Sequence, residues 1–247
     1  MRNTVAETAG KSAFPSSPRV KNGETPSLRT ALLSRYQAVR QFSRTICETL
    51  EAEDYVIQTM PEASPTKWHL AHTSWFFETF VAKPRLRNHR SSHPQYAFLF
   101  NSYYNAAGEM HARPQRGLIS RPTVEETYTY RKYVDGIVEE LLATSGPKEL
   151  ESLAPLIVLG LNHEQQHQEL MLTDIKHVFW MNPLRPVFRE QKTPPRSPAA
   201  GRGWRTFKGG VCSIGHDGPE FSFDNEGPRH QTYLQPFSLA SGLVTNR

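Results

Sequence analysis

Residues 161–170 read LNHEQQHQEL and set His163 and His167 four positions apart. On a helix that spacing puts both imidazoles on one face, where they can share an ion. Glu164 completes the pattern H-E-x-x-H, which in metallohydrolases makes the glutamate a general base. So short a pattern recurs by chance, and a metal needs at least one further ligand. The segment WHLAHTSW offers His69 and His72. His72 shares a helical face with Trp68 and Trp75 and is expected to point inward, whereas His69 falls off that stripe and is expected to face outward. His72, His163 and His167 then form a set of three neutral imidazoles from two helices. Such a set leaves coordination positions open for substrate and for dioxygen or water. A single histidine on a core face is more often a satisfied polar residue than a ligand; three converging in a bundle reverse that judgement.

Two other groups could act beside such an ion. Tyr103 and Tyr104 each have a ring that packs and a hydroxyl that can donate a proton. Arg113 and Arg116 carry planar donor groups suited to a substrate carboxylate. A packed loop and two solvated arginines account equally well for these four residues.

The elements that must position these residues are helical. A first apolar stripe, Leu28, Leu32, Tyr36, Val39, Phe42, Ile46 and Leu50, predicts a helix from about Ser27 to Leu50. A second helix opens at SPTKW, with Ser64 as N-cap and Pro65 in the first turn, and stops near Pro84. The third begins at Thr123, whose spacing to Glu126 is that of a capping box, and turns Val124, Tyr128, Val134, Ile137, Val138 and Leu141 inward before Gly146-Pro147. The fourth starts at Glu149 or Pro155 and runs through His177. Four helices of this length read as a four-helix bundle. The connection 85–121 is long, and its aromatic residues argue that it is packed.

After Trp180 the chain becomes Pro-rich and extended, then Gly-rich and strand-like from Trp204, with short alternating runs at 231–234 and 237–240. The fold expected is therefore mainly α. A disordered leader (1–26) precedes a bundle with a metal site (27–180), a linker (181–203), and an incomplete α+β piece (204–247) too short to bury a core of its own.

Composition excludes several classes. The net charge of +5 tempts a nucleic-acid reading, but the cations are scattered, with the densest group (Arg185, Arg189, Lys192, Arg196, Arg202, Arg205) in the Pro-rich segment. No nucleic-acid partner is expected. No apolar run approaches the roughly 18 residues that a membrane span needs, and the N-terminus lacks the apolar core of a secretory signal. With only 2 cysteines, Cys47 and Cys212, no disulfide framework is expected, and the reading is a cytoplasmic protein. Cys47 lies on an apolar stripe and is expected in the core.

Taken in order, SPTKWHLAHTSWFFETF, YYN, HARPQRG, GLNHEQQHQELMLTDIKH and FDNEGPRH…PFSLASGLVTN resemble the sulfoxide synthases of ergothioneine biosynthesis, over about residues 28–246. That family joins a DinB-like helical bundle to a domain similar to the formylglycine-generating-enzyme/sulfatase-modifying fold. The resemblance implies a non-haem iron(II) held by His72, His163 and His167. It implies a reaction in which dioxygen couples the sulfur of cysteine or γ-glutamylcysteine to the imidazole C2 of hercynine. By the same likeness Gln166 would hydrogen-bond the substrate imidazole, one of Tyr103 and Tyr104 would protonate the oxygen intermediate, and Arg113 and Arg116 would bind carboxylate.

In the family the second domain continues far beyond VTN and supplies part of the hercynine pocket, so this chain is expected to hold the metal site without the whole pocket. Two other readings use the same histidines: a DinB-like zinc-dependent thiol transferase or hydrolase, and an inactive metal-binding fragment.

Overall fold

The computed structural model describes residues 27–102, 108–190 and 203–244. It is mainly α, with a few small antiparallel strand pairs, and it divides into two units between Arg189 and Glu190. No helix among the described residues is long and apolar enough to cross a membrane.

In the first unit α1 spans Leu28–Ile46, α2 Thr66–Phe76, α3 Tyr96–Phe100, α4 Val124–Thr144 and α5 Pro147–Met181. Both α4 and α5 pack on α1 and on α2, so the four long helices enclose a common interior. Ser27 caps α1, and Thr123 and Glu126 form the reciprocal capping box that opens α4. Ser64 does not cap α2; Pro65 holds that position, and the Ser64 amide donates instead to Asp174 Oδ2 at 2.9 Å. The fourth helix begins at Pro147 and runs straight through Pro155. Pro155 is exposed, so the carbonyl deprived of its helical partner faces water, which lowers the cost of an internal proline.

The stripe read from α4 was displaced. Val134 and Val138 are buried as expected, but Val124, Tyr128, Ile137 and Leu141 are only partly so, and the inward face is completed by Thr127, Tyr130, Arg131 and Leu142. Apolar periodicity cannot register a buried arginine, and Arg131 is 1% exposed.

Two apolar clusters fill the unit. The larger joins Leu32, Tyr36 and Val39 of α1 with Trp68 and Trp75 of α2, Val134 and Val138 of α4, and Leu153, Ile157 and Leu161 of α5. The smaller joins Ile46, Cys47 and Tyr55 with Leu70, Met171, Ile175 and Phe179. Along α5 residues 162–169 are polar, as are Arg40 and Ser43 between Val39 and Ile46 of α1. A polar layer therefore separates two apolar ones, which is where the crowded motif belongs. Gly160 lets α5 approach α2 and the π-helical turn Phe77–Ala82 after it: a Cβ there would lie 2.6 Å from the Phe77 ring.

The connection after α2 folds back on the bundle. Trp68 Nε1 donates to the Leu99 carbonyl at 2.9 Å, Lys67 Nζ to the Ile119 carbonyl at 2.9 Å, and Phe100 is fully buried. At the other end of the unit Phe188 packs edge-on against Phe179, so the chain expected to be linker from residue 181 first returns to the bundle.

In the second unit β1 (Trp204–Phe207) pairs antiparallel with β4 (Phe237–Ala240), and β2 (Gly210–Ile214) with β3 (His230–Leu234). The two registers lie along one ribbon, interrupted where Lys208 and Gly209 face Gln235 and Pro236. Pro236 has no N–H to give the ladder, and Gly209 sits at φ +69°, where a Cβ would lie 2.3 Å from the Leu234 carbonyl oxygen. The pairing is regular, yet no described residue of 203–244 is buried, as expected of a piece too short to bury a core of its own. Hydrogen-bonded strands thus form here without a core.

Candidate metal centre

α5 brings His163 and His167 to one face, and α2 sets His72 opposite them. One ring nitrogen from each lies within 4.8 Å of the other two. His72 Nε2 and His163 Nε2 are 3.1 Å apart, within the range of about 3.0–3.4 Å expected for two nitrogens bound to one ion at about 2.1 Å. His72 is 1% exposed and His163 9%, while His167 is partly buried.

The His72 ring is fixed on its faces and at its edge. It stacks on Trp68 at 4.6 Å between centroids and on Trp75 at 5.5 Å. Its Nδ1 lies 2.6 Å from the Phe100 carbonyl. A carbonyl only accepts, so Nδ1 carries the proton and Nε2 presents its lone pair to the cluster.

His69, expected to face outward, is 2% exposed. Every residue of α2 is buried, because α4, α5 and the folded-back connection cover it on all sides; an amphipathic reading assumes a wet face that this helix lacks. His69 Nδ1 lies 2.8 Å from His167 Nδ1, and His69 Nε2 lies 3.0 Å from Asp174 Oδ2. Sequence reasoning missed Asp174 as well, although it stands seven positions after His167, two helical turns along the same face.

Glu164 is not available as a base. It is 0% exposed, its Oε2 accepts from Arg40 Nη1 at 2.9 Å, and its Oε1 accepts from Ser43 Oγ at 2.5 Å and from Arg131 Nη2. Burial alone would raise its pKa, but Arg131 and Arg40 overcome that and hold the carboxyl at about 2. Arg40 also bonds Asp135 at 2.6 Å and Ser74 at 3.0 Å, and Arg131 reaches Thr73 at 3.2 Å and the Arg40 carbonyl at 3.0 Å. All four long helices meet in this network. The glutamate of the motif is a structural keystone turned away from hydrolytic work.

The other expected site residues are placed as follows. Gln166 is exposed on α5 between the two ligands. Arg116 is buried, with its guanidinium 3.3 Å from the centre of the Trp68 ring and Nη1 donating to Ser64 Oγ at 2.9 Å. Arg113 is partly buried and donates to the Glu62 carbonyl. Tyr103 and Tyr104 lie outside the described residues.

Burial lowers the pKa of His69, His72 and His167 and brings His163 to about 4. At neutral pH the lone pairs a cation needs are therefore present. The same shifts fix the pH dependence of the metal-free fold. The unfolded chain takes up protons below the ordinary histidine value of 6.5 while the folded chain does not, so stability falls as pH drops from about 6.5 towards 4. Glu164 adds a further loss between its ordinary 4.5 and about 2. Urea denaturation of metal-free protein should show stability level above pH 7 and declining through pH 6 and 5; an unchanged midpoint over that range would contradict the buried neutral cluster.

No family model matches the chain, and no curated protein matches it at a significant level.

Proposed function

We propose that this chain carries the iron(II) centre of a dioxygen-using enzyme that joins a thiol sulfur to the imidazole carbon of hercynine, on a DinB-like bundle. The observation that carries the reading is the convergence of His72, His163 and His167 with Glu164 withdrawn into ion pairs. A hydrolase built on H-E-x-x-H needs that glutamate at the ion as a general base. Three neutral imidazoles instead leave the charge of a divalent ion uncompensated, which favours an anionic ligand such as the thiolate of cysteine or γ-glutamylcysteine. The resemblance of the motifs to those of ergothioneine-forming sulfoxide synthases supports hercynine as the second substrate.

Iron(II), held by the three imidazoles, would supply the redox chemistry towards dioxygen that zinc lacks. The balance is simple: the thiol S–H and the imidazole C–H are lost, an S–C bond forms, sulfur keeps one oxygen atom, and the other leaves as water. The chain's own part is to hold and orient. Trp68 and Trp75 clamp the His72 ring, and the Phe100 carbonyl sets its tautomer. Gln166, exposed on α5 between His163 and His167, is assigned to the substrate imidazole. Of the two arginines, Arg113 is assigned to a substrate carboxylate, since the Arg116 guanidinium lies buried against the Trp68 ring. Tyr103 and Tyr104 are assigned as proton donors on the resemblance.

The test is oxygen uptake by anaerobically iron-loaded protein, with mass analysis of the product. Thiol-dependent uptake is the expected result, and any hercynine adduct should be two hydrogens lighter and one oxygen heavier than the sum of its two substrates. Iron binding with no thiol-dependent uptake would overturn the proposal. Tyr103→Phe and Tyr104→Phe should leave iron affinity unchanged, and at least one should lower turnover by roughly 100-fold or more, the scale of a lost general acid.

A further inference from the structure

A buried polar chain leads away from the cluster and ends at a carboxylate. The Ser64 amide holds Asp174 Oδ2 at 2.9 Å; the same oxygen lies 3.0 Å from His69 Nε2, and His69 Nδ1 lies 2.8 Å from His167 Nδ1. Asp174 is 7% exposed and His69 2%, so water does not compete for these positions. Neither residue belongs to the three-imidazole cluster, and nothing in the proposed reaction uses them.

The direction of each hydrogen bond follows from what the groups can do. A carboxylate only accepts, so the proton on this edge of His69 sits on Nε2. A neutral imidazole has one N–H, so His69 Nδ1 is bare and must accept. The proton between the two Nδ1 atoms therefore belongs to His167, which leaves His167 Nε2 as the nitrogen that can ligate. Reversing any one bond would put a proton on that nitrogen and close it to a cation.

We propose that Asp174 and His69 form a positioning relay that fixes the tautomer and ring orientation of His167, so that its Nε2 is delivered bare to the metal. The inference rests on the three-histidine metal centre but not on the identity of the metal or of the reaction. Carboxylate groups behind metal-bound histidines commonly raise ligand basicity and hold the ring; here a second imidazole carries that influence one step further. Trp68 supports the arrangement, since its ring lies 5.7 Å edge-on from His69 while it stacks on His72.

The test is titration of the whole protein with cobalt(II), reading affinity and the visible d–d band, with circular dichroism as the check on folding. His69→Phe keeps a ring but removes the acceptor, and should weaken cobalt binding by about 10–100-fold and shift the band. His69→Gln can accept from His167 through its carbonyl and donate to Asp174 through its amide, so it should bind within roughly threefold of the native protein. Asp174→Asn keeps the shape without the charge and should weaken binding by about 10-fold.

A merely structural pair would lower the melting temperature and leave the affinity and band of the folded protein unchanged. Folded His69→Phe with native affinity and band would overturn the relay, as would His69→Gln as weak as His69→Phe. If His69→Phe does not fold, unchanged affinity and band in Asp174→Asn overturn it. Native protein that binds no cobalt would sink the metal centre itself, a different outcome from a relay that does not matter.

Discussion

His167→Ala should lose metal binding by more than the roughly 100-fold that marks the upper range for an outer-shell change, because it removes one of the three imidazoles that converge among the described residues. His163 and His72 would remain 3.1 Å apart at Nε2, but two neutral imidazoles on two helices hold a divalent ion weakly. The fold should survive. His167 is partly buried, and the ion-pair network that ties the helices together runs through its neighbour Glu164. Metal analysis after dialysis, paired with circular dichroism, separates the two effects: a helical protein with native metal content would remove His167 from the centre.

Glu164→Gln should cost about 3–5 kcal/mol of folding stability, a large part of the roughly 5–15 kcal/mol available to a domain. The amide cannot balance Arg40 and Arg131, whose guanidinium groups are buried in this network. Arg40 keeps Asp135, but Arg131 has no other carboxylate among the described ion pairs. The double variant Glu164→Leu/Arg131→Leu removes the carboxylate together with the guanidinium that its loss leaves unbalanced, while Arg40 keeps Asp135, and should recover part of the loss. Urea midpoints at constant slope measure this directly. A Glu164→Gln protein as stable as the native one would mean that the glutamate is not a keystone, and the hydrolytic reading of the motif would return.

The sequence located the three converging histidines because their signals are local. A four-residue spacing on α5 and a histidine between two tryptophans on α2 are each readable from a single helix. What it concealed depends on contacts between helices. Glu164 fits the hydrolase pattern as well as the structural role, and only the arrival of Arg40 from α1 and Arg131 from α4 decides between them. His69 misled because α2 has no exposed side, a property of its neighbours and not of its own eleven residues. Asp174 could have been found by extending the histidine face two turns along α5, but its purpose appears only when His69 lies between it and His167. The strands of the second unit were legible from the strand-like character after Trp204 and from alternation at 231–234 and 237–240, while the choice of partners depends on contacts between runs far apart in sequence.

The most direct measurement of the metal centre is X-ray absorption on protein loaded anaerobically with one equivalent of iron(II). Three imidazole nitrogens are expected at about 2.1 Å, with water filling the remaining positions and no carboxylate from Glu164 or Asp174. Addition of cysteine or γ-glutamylcysteine should then introduce a sulfur neighbour. Fewer than three imidazoles in the iron shell, or Glu164 found among the ligands, would contradict the three-histidine centre.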